Sequence, residues 1–367
     1  MSSLPEGRIE IGLIRRRGCS PEVSVRSTRP QVAQSLLAGQ TPERAAQLVG
    51  LLFSLCGQAQ RTATELAAEA AAGRPAREAA ERRAGRVLAE LAREHAWRLL
   101  LDWPRQAGQP EQVEALVRLR QAGDAPERLT AALTQLLDDT LLGEPAGSWL
   151  ERVSARNGLA VFDAWRNRAA TPLAVLFGRL GERDSGFGRQ PLLRSLARLG
   201  PSPIVEIGLQ ALSDQGFCLR PRLAGGGAET GALGRCQGEP LVRAWSAEYG
   251  PGLGARMLAR LLELARLPAR LAAGCPDVMA AWSPEPGTGV AAVETSRGLL
   301  IHALRLADGR VAEYRIVAPT EWNFQPGGPL EAALGQLPDS ADLAAQARAM
   351  VLAMDPCVDY EVVVADA

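Results

Sequence analysis

The sequence predicts a soluble, mostly helical protein with a minor β part near both ends. Stretches rich in Ala, Leu, Arg and Glu carry apolar residues at helical spacing and should form a bundle; they span 61–103, 110–142, 150–180 and 241–273. Strand-like patterns lie near the two ends of the chain. The 367 residues are 47% apolar, enough for a large core, without an apolar run long enough for a membrane helix.

The first elements follow from local patterns near the N-terminus. "EGRIEIGLI" (6–14) alternates between apolar and other residues, which is typical of a strand. Thr41-Pro42-Glu43 predicts a helix start, with an N-cap threonine, proline in the first turn and an acid at the positive helix end. The apolar run that follows predicts a helix ending at Cys56-Gly57, because glycine often follows a helix C-terminus.

The later elements are a loop, a hairpin and a last helix. Residues 215–240 are glycine-rich and irregular. Two β-like runs flank Asp308-Gly309, a strong hairpin signal. An amphipathic helix at 340–354 stops at Asp355-Pro356 and leads into a short β-like tail. We therefore expect one domain, 1–367, with an N-terminal strand at 6–14, a helical core at 41–273, and a hairpin with a C-terminal motif at 290–367.

Composition excludes several classes of protein. The chain has no lysine, so neither a Schiff base nor a Walker A phosphate loop is possible. Two histidines, His95 and His302, are too few for a histidine-rich metal site. The six cysteines form no C-x-x-C pair, which argues against a zinc ribbon or disulfide framework and indicates a reducing cytoplasm. The 41 basic and 41 acidic residues balance, so neither nucleic acid nor a membrane surface is an expected partner.

Two cysteine segments resemble the metal-binding motifs of nickel–iron hydrogenase large subunits. "SLCGQA" (54–59) is similar to Arg-x-Cys-Gly-x-Cys, and "DPCVDYEVV" (355–363) to Asp-Pro-Cys-x-x-Cys-x-x-His. Between them, segments in the family's order resemble its landmarks: "PEGRIEIGL", "REHAWRLLLDWP", "GAETGALGR", "ETSRGLLIHALRL" and "APTEWNF". The resemblance implies a shortened hydrogenase-large-subunit-like helical bundle with small N- and C-terminal β elements.

The departures from this pattern change the expected function. Cys56 and Cys357 remain, but Ala59 and Tyr360 stand where the family has the second, metal-bridging cysteine of each pair. Val363 replaces the terminal histidine. Two thiolates can hold one soft metal fragment, whereas the family clamps a bimetallic site with four. The pattern resembles the HupK/HoxV group of hydrogenase maturation proteins.

That resemblance implies a non-catalytic assembly scaffold. The scaffold would transiently bind iron carrying cyanide and carbon monoxide, with no permanent nickel, and pass it to the hydrogenase large subunit. Its expected partners are a HypC-type chaperone and the large-subunit precursor, in the cytoplasm. The alternatives are a divergent metal-dependent redox enzyme, and an enzyme with Cys56 or Cys357 as a histidine-activated nucleophile. The missing bridging cysteines argue against the first, and no family arrangement supports the second.

The resemblance also assigns residues around the expected metal site. Cys56 and Cys357 would be the ligands, although a lone cysteine is often just a small buried hydrophobe. Arg297 matches an arginine that overhangs the family's metals, and the alternative is an ion pair with Glu294. Further residues are expected beside the ligands: Ser296, whose hydroxyl would donate a hydrogen bond, Asp355, whose alternative role is a helix stop, and Glu6, which aligns with a proton-transfer glutamate.

Overall fold

The described parts of the chain form a helical body with two sizeable β-sheets. The computed structural model describes residues 7–30, 32–53, 55–75, 78–180, 194–223 and 227–367, so the prediction for Glu6 lies outside the described residues. The strands are β1 (Arg8–Arg15), β2 (Glu22–Ser27), β3 (Arg194–Ser195), β4 (Ala228–Glu229), β5 (Met279–Glu285), β6 (Thr288–Thr295), β7 (Gly298–Ala307), β8 (Arg310–Val317) and β9 (Asp359–Asp366).

Helices account for most of the remaining described residues, as the sequence predicts. The first ten are α1 (Ala33–Leu37), α2 (Pro42–Leu52), α3 (Gly57–Ala71), α4 (Ala80–Trp97), α5 (Trp103–Gln106), α6 (Val113–Gln121), α7 (Pro126–Gln135), α8 (Ala146–Val153), α9 (Gly158–Arg168) and α10 (Pro172–Arg179). The later ones are α11 (Pro201–Ser213), α12 (Ala232–Cys236), α13 (Pro240–Tyr249), α14 (Leu253–Ala273), α15 (Pro319–Asn323), α16 (Pro329–Leu334) and α17 (Leu343–Met354). Two π-helical segments, Arg98–Asp102 and Leu136–Leu142, continue α4 and α7.

The first sheet joins the two ends of the chain. Its strand order is β2-β1-β9, with β1 antiparallel to β2 and parallel to β9. Ile9, Ile11 and Leu13 are almost fully buried, as the alternating pattern predicts. Because β9 begins two residues after Cys357, its pairing with β1 holds the C-terminal cysteine segment in place.

The second sheet is antiparallel, in the order β5-β6-β7-β8. The hairpin of β7 and β8 is confirmed, and Asp308 and Gly309 both have positive φ, as its tight turn requires. Strands β5 and β6 were not predicted, because alanine, proline and glycine give this segment a weak strand signal. The sheet therefore begins at Met279, ahead of the expected boundary at 290.

The predicted helix end at Cys56-Gly57 is wrong. Helix α2 starts as expected, with the Thr41 hydroxyl accepting from the Arg44 N–H, but it ends at Leu52. Gly57 instead opens α3, directly after Cys56. A Cβ on Gly57 would lie 2.6 Å from the carbonyl oxygen of Gly50, so glycine serves the close crossing of α2 and α3 rather than a helix C-terminus.

Helix α14 runs through the core, and it is buried on all sides over residues 253–265. Most of its buried residues are leucine and alanine, as expected for a helix surrounded by protein. Arg256, Arg260 and Glu263 are buried with them, and each forms an ion pair. Within the described segments, no helix combines the length and apolar character that crossing a membrane would need.

Gly289→Ala tests the packing of α3 on the second sheet. A Cβ at Gly289 in β6 would lie 1.9 Å from the carbonyl oxygen of Ala67 in α3. We expect the overpacking to lower the free energy of unfolding by about 1–3 kcal/mol. Gly85→Ala in α4 is the control, because its Cβ would meet nothing within 4 Å. It should stabilise the helix by up to about 1 kcal/mol in denaturant unfolding; equal effects would contradict the packing argument.

Candidate metal centre

Cys56 and Cys357 come from opposite ends of the chain, but they lie close enough for the charge of one to affect the other. Cys56 precedes α3, and Cys357 lies in the turn between α17 and β9; both are half-buried. Burial, together with the negative charges of Cys357 and Glu90, raises the pKa of Cys56 to about 12. Burial lowers the pKa of the Arg29 and Arg297 guanidinium groups, but negative charges around them, including those of both cysteines in the thiolate form, raise it above its usual value. Two sulfurs and two guanidinium groups therefore share this part of the molecule.

The start of α3 is fixed by a half-buried carboxylate from α4. Glu90 accepts hydrogen bonds from the backbone N–H groups of Gln58, at 2.7 Å, and Ala59, at 3.1 Å. These are donors that a helix N-terminus leaves unpaired. One turn into the helix, Nε2 of Gln60 lies 3.6 Å from the sulfur of Cys56, in position to donate to it. The backbone and side chains of this helix end therefore fix the first cysteine.

The surroundings of Cys357 include two residues that the sequence did not single out. The Thr320 hydroxyl lies 3.4 Å from the Cys357 sulfur and accepts a hydrogen bond from Arg29 at 3.1 Å. Arg29 also pairs with Glu321 at 3.8 Å and stacks on Phe53. Burial raises the pKa of Glu321 to about 7 despite this pairing. Arg29 follows β2 without a recognisable motif, whereas Thr320 belongs to the "APTEWNF" segment already matched to the family.

Arg297 pairs with two carboxylates near the cysteines. Its Nη2 donates to Glu94 at 2.8 Å, and its Nε lies 3.3 Å from Asp355. The alternative pairing with Glu294 is wrong, because Glu294 binds Arg235 at 2.6 Å instead. The predicted neighbour Ser296 is buried, and its hydroxyl accepts only a long contact of 3.5 Å from Nη1 of Arg297. One end of the Arg297 guanidinium is thus weakly engaged.

Asp355 connects three buried or half-buried arginines. Its carboxylate contacts Arg98 at 2.7 Å, Arg260 at 3.2 Å and Arg297 at 3.3 Å. Burial alone would raise the pKa of this carboxyl, but the three guanidinium groups hold it well below its usual range. The residue also ends α17 in the left-handed conformation, with φ of 62°, so it is both the predicted helix stop and an ion-pair centre.

The donor set at this site suits a metal fragment that brings other ligands of its own. Among the residues that the structure describes, no three His, Cys, Asp or Glu side chains are placed to hold a metal ion together. The two cysteine sulfurs are soft donors, and the nearby guanidinium groups favour a bound group with negative charge. The two residues that stand where the hydrogenase motifs have their second cysteines are not metal donors of this kind: Ala59 is a fully buried alanine, and Tyr360 lies in β9 opposite Ile9 in β1.

Comparison with known proteins decides the family. HupK, a hydrogenase expression/formation protein of Rhizobium leguminosarum bv. viciae, is 34% identical over 99% of this chain and 98% of its own length. HoxV of Cupriavidus necator, with the same description, is 32% identical over 91% of each chain. This chain belongs to the HupK/HoxV family. The predicted resemblance is thereby confirmed.

The chain is also similar to nickel-dependent hydrogenases. The family model described as nickel-dependent hydrogenase matches residues 230–361. The reduced Ni-Fe-Se hydrogenase of D. vulgaris Hildenborough superimposes with a TM-score of 0.60, 16% identity and 94% coverage of both chains. An NAD+-reducing [NiFe]-hydrogenase gives a TM-score of 0.56, 15% identity and 92% coverage of both. At such identities the likeness establishes the fold alone, and it confirms the predicted large-subunit-like fold.

Asp355→Asn tests the ion-pair centre. The substitution keeps the shape but leaves the three arginines without their shared negative charge, so we expect a loss of about 3–5 kcal/mol in the free energy of unfolding. Asp277→Asn is the control, since Asp277 is largely exposed in its 2.8 Å pair with Arg270 and should cost less than about 1 kcal/mol. Similar losses in denaturant unfolding would show that Asp355 is not a centre of stability.

Proposed function

We propose that this protein is a non-catalytic scaffold in hydrogenase maturation. It binds an iron fragment carrying cyanide and carbon monoxide through Cys56 and Cys357, and transfers it to the hydrogenase large subunit. The observation that carries the proposal is the coupled pair of half-buried cysteines beside Arg29 and Arg297. The names of its full-length relatives, hydrogenase expression/formation proteins, support a role in maturation.

Incomplete ligation favours a carrier over a permanent metal site. Two thiolates bind one soft metal ion but leave most of its coordination positions to other ligands. Ala59 and Tyr360 occupy the positions where the hydrogenase motifs have their second cysteines. A bimetallic centre would need those bridging sulfurs, so a divergent redox enzyme is the weaker proposal. The absence of permanent nickel stays a prediction.

The charges around the two sulfurs suit such a cargo. A ferrous ion with two thiolates and cyanide ligands carries net negative charge, which buried guanidinium groups compensate. Among the described residues, Nη1 of Arg297 has only the 3.5 Å contact with Ser296, so this N–H is available to a cyanide nitrogen. Arg29 provides a second cation on the Cys357 side. Arg29 is held by Glu321 and Arg297 by Glu94, so both guanidinium groups are in place before the cargo binds.

Transfer requires partner proteins. We propose a HypC-type chaperone as the donor and the hydrogenase large-subunit precursor as the acceptor. The segment just before Cys56 carries exposed apolar side chains, Leu51, Leu52 and Leu55, of which Leu51 is 78% exposed. Exposed apolar residues close to a cargo site are consistent with approach of another protein. The cytoplasmic location stays a prediction from the scattered cysteines, all six of which are unpaired in the structure.

Cys56→Ala and Cys357→Ala should each abolish retention of the iron fragment while the fold persists. Each variant removes one of two sulfur ligands, and a single thiolate cannot hold the cargo. The measurement is iron content and the cyanide and carbonyl infrared bands of protein purified without oxygen from a strain that makes the cofactor. Cys275→Ala is the matched control, because Cys275 is also half-buried but matches no motif position. Equal iron loading in all three variants would refute the ligand assignment.

Arg297→Lys should weaken retention less than the loss of either cysteine. An ammonium keeps the charge but not the planar set of donors that engages Glu94, Asp355 and the cargo together. Arg256→Lys is the control, because Arg256 is equally buried but is engaged by Glu229. Iron content and cyanide bands are again the readout. If they match those of the control, Arg297 serves only the fold.

A further inference from the structure

A buried chain of hydrogen bonds leads from the Cys56 sulfur into the protein core. The Gln60 amide nitrogen lies 3.6 Å from the sulfur, and the Gln60 amide oxygen lies 2.9 Å from Nε2 of His302 in β7. Nδ1 of His302 lies 2.6 Å from the Tyr314 hydroxyl in β8, which lies 2.6 Å from the Thr64 hydroxyl in α3. All four side chains are at most 1% exposed. The ligand assignment does not use any of them.

The chemistry of the Cys56 sulfur and the Gln60 amide fixes which group donates at each step of these hydrogen bonds. A metal-bound thiolate only accepts hydrogen bonds, so the Gln60 NH₂ group faces the sulfur and its oxygen faces His302. That oxygen can only accept, so Nε2 of His302 carries the ring proton and Nδ1 accepts from Tyr314. Burial lowers the pKa of His302 to about 3, which agrees with a neutral ring.

We infer that Gln60, oriented by His302, is a positioning residue that donates a hydrogen bond to the metal-bound sulfur of Cys56 and weakens this sulfur as an iron ligand. The inference rests on the proposed function. A hydrogen bond to a ligating sulfur withdraws electron density from the metal–sulfur bond, and such outer groups tune metal sites. A weaker Fe–S bond at Cys56 favours release of the cargo. Without His302, the amide could turn and present its oxygen to the thiolate, which would repel it.

The two sulfurs therefore differ in how firmly their hydrogen-bond partners are fixed. The partner of Cys56 is an amide whose orientation is set from the core through three further side chains. The partner of Cys357 is the Thr320 hydroxyl, which already accepts from Arg29 and can rotate about its own C–O bond. Of the two sulfur partners that the structure describes, Gln60 is the one that cannot become an acceptor without breaking another buried hydrogen bond.

Cobalt spectroscopy tests the effect on the sulfur. Full-length protein is loaded anaerobically with Co²⁺ alone, whose thiolate-to-metal charge-transfer bands report the number of bound sulfurs and their donor strength. Gln60→Leu should keep the intensity of two thiolates but move the bands to lower energy, because the sulfur regains electron density. His302→Phe should move them the same way by less, since Gln60 remains but loses its fixed orientation.

The control is Thr62→Val in the same helix. Thr62 is fully buried, its hydroxyl has no hydrogen-bond partner among the described residues, and it lies on a different face of α3 from Gln60. It should leave the bands in place even if stability falls. Unmoved bands in Gln60→Leu, or an equal shift in Thr62→Val, would overturn the inference about Gln60 but leave the proposed metal site standing. Cobalt bound without thiolate charge transfer would overturn the proposed metal site, and the inference with it.

Histidine nitrogen spectra test the orientation without any metal. The chain has only two histidines, so ¹⁵N-histidine labelling gives two ring systems, and His302→Phe assigns them. We expect the His302 ring to be neutral near pH 7, protonated on Nε2, with the Nε2–H signal shifted in Gln60→Leu. A charged ring, or a proton on Nδ1, would overturn the inference even in a protein that carries cyanide and carbonyl bands. If the native protein shows no cyanide and carbonyl infrared bands, that result counts against the proposed function instead.

Discussion

The carboxylate of Asp355 is the constraint on which the candidate site depends. It binds Arg98 after α4, Arg260 in α14 and Arg297 between β6 and β7, so three distant parts of the chain meet at one buried charge. A buried carboxylate is stable only when its charge is compensated, and Asp355 in turn compensates Arg260, whereas Arg98 and Arg297 also pair with Asp102 and Glu94. Because Cys357 lies two residues further on, the same ion pairs that stabilise the core also fix the second sulfur.

The arginines at the site serve the fold and the proposed cargo together. Arg297 engages Glu94 and Asp355 through one side of its guanidinium group and leaves Nη1 weakly bound. Arg29 does the same with Thr320 and Glu321 beside the other sulfur. Preorganised donors of this kind need no rearrangement when a charged group arrives. A protein built for transfer gains from that arrangement, because the site keeps its shape while the cargo binds and leaves.

Several local features could be predicted from the sequence. The predictions that are wrong concern residues whose role depends on contacts with distant parts of the chain. The alternation at Ile9, Ile11 and Leu13 and the Asp308-Gly309 turn are confirmed, because both depend on short-range geometry. The prediction that Gly57 ends a helix is wrong, because this glycine is required by the carbonyl of Gly50 on the crossing helix, which no local pattern reveals. The alternative role of Arg297, an ion pair with the nearby Glu294, is wrong, because Glu94 and Asp355 are its partners and Glu294 pairs with Arg235.

The sequence by itself determined the family and the two cysteines that remain of its motifs, because residue identity and order suffice for both. It also excluded lysine chemistry and a histidine-rich metal site, since composition alone decides them. Only the tertiary structure decided what surrounds the sulfurs: Gln60 and His302 behind Cys56, Thr320 and Arg29 beside Cys357, and three arginines on Asp355. These partners are far apart in the sequence, and they meet because buried polar groups must find a hydrogen bond or an opposite charge within the fold.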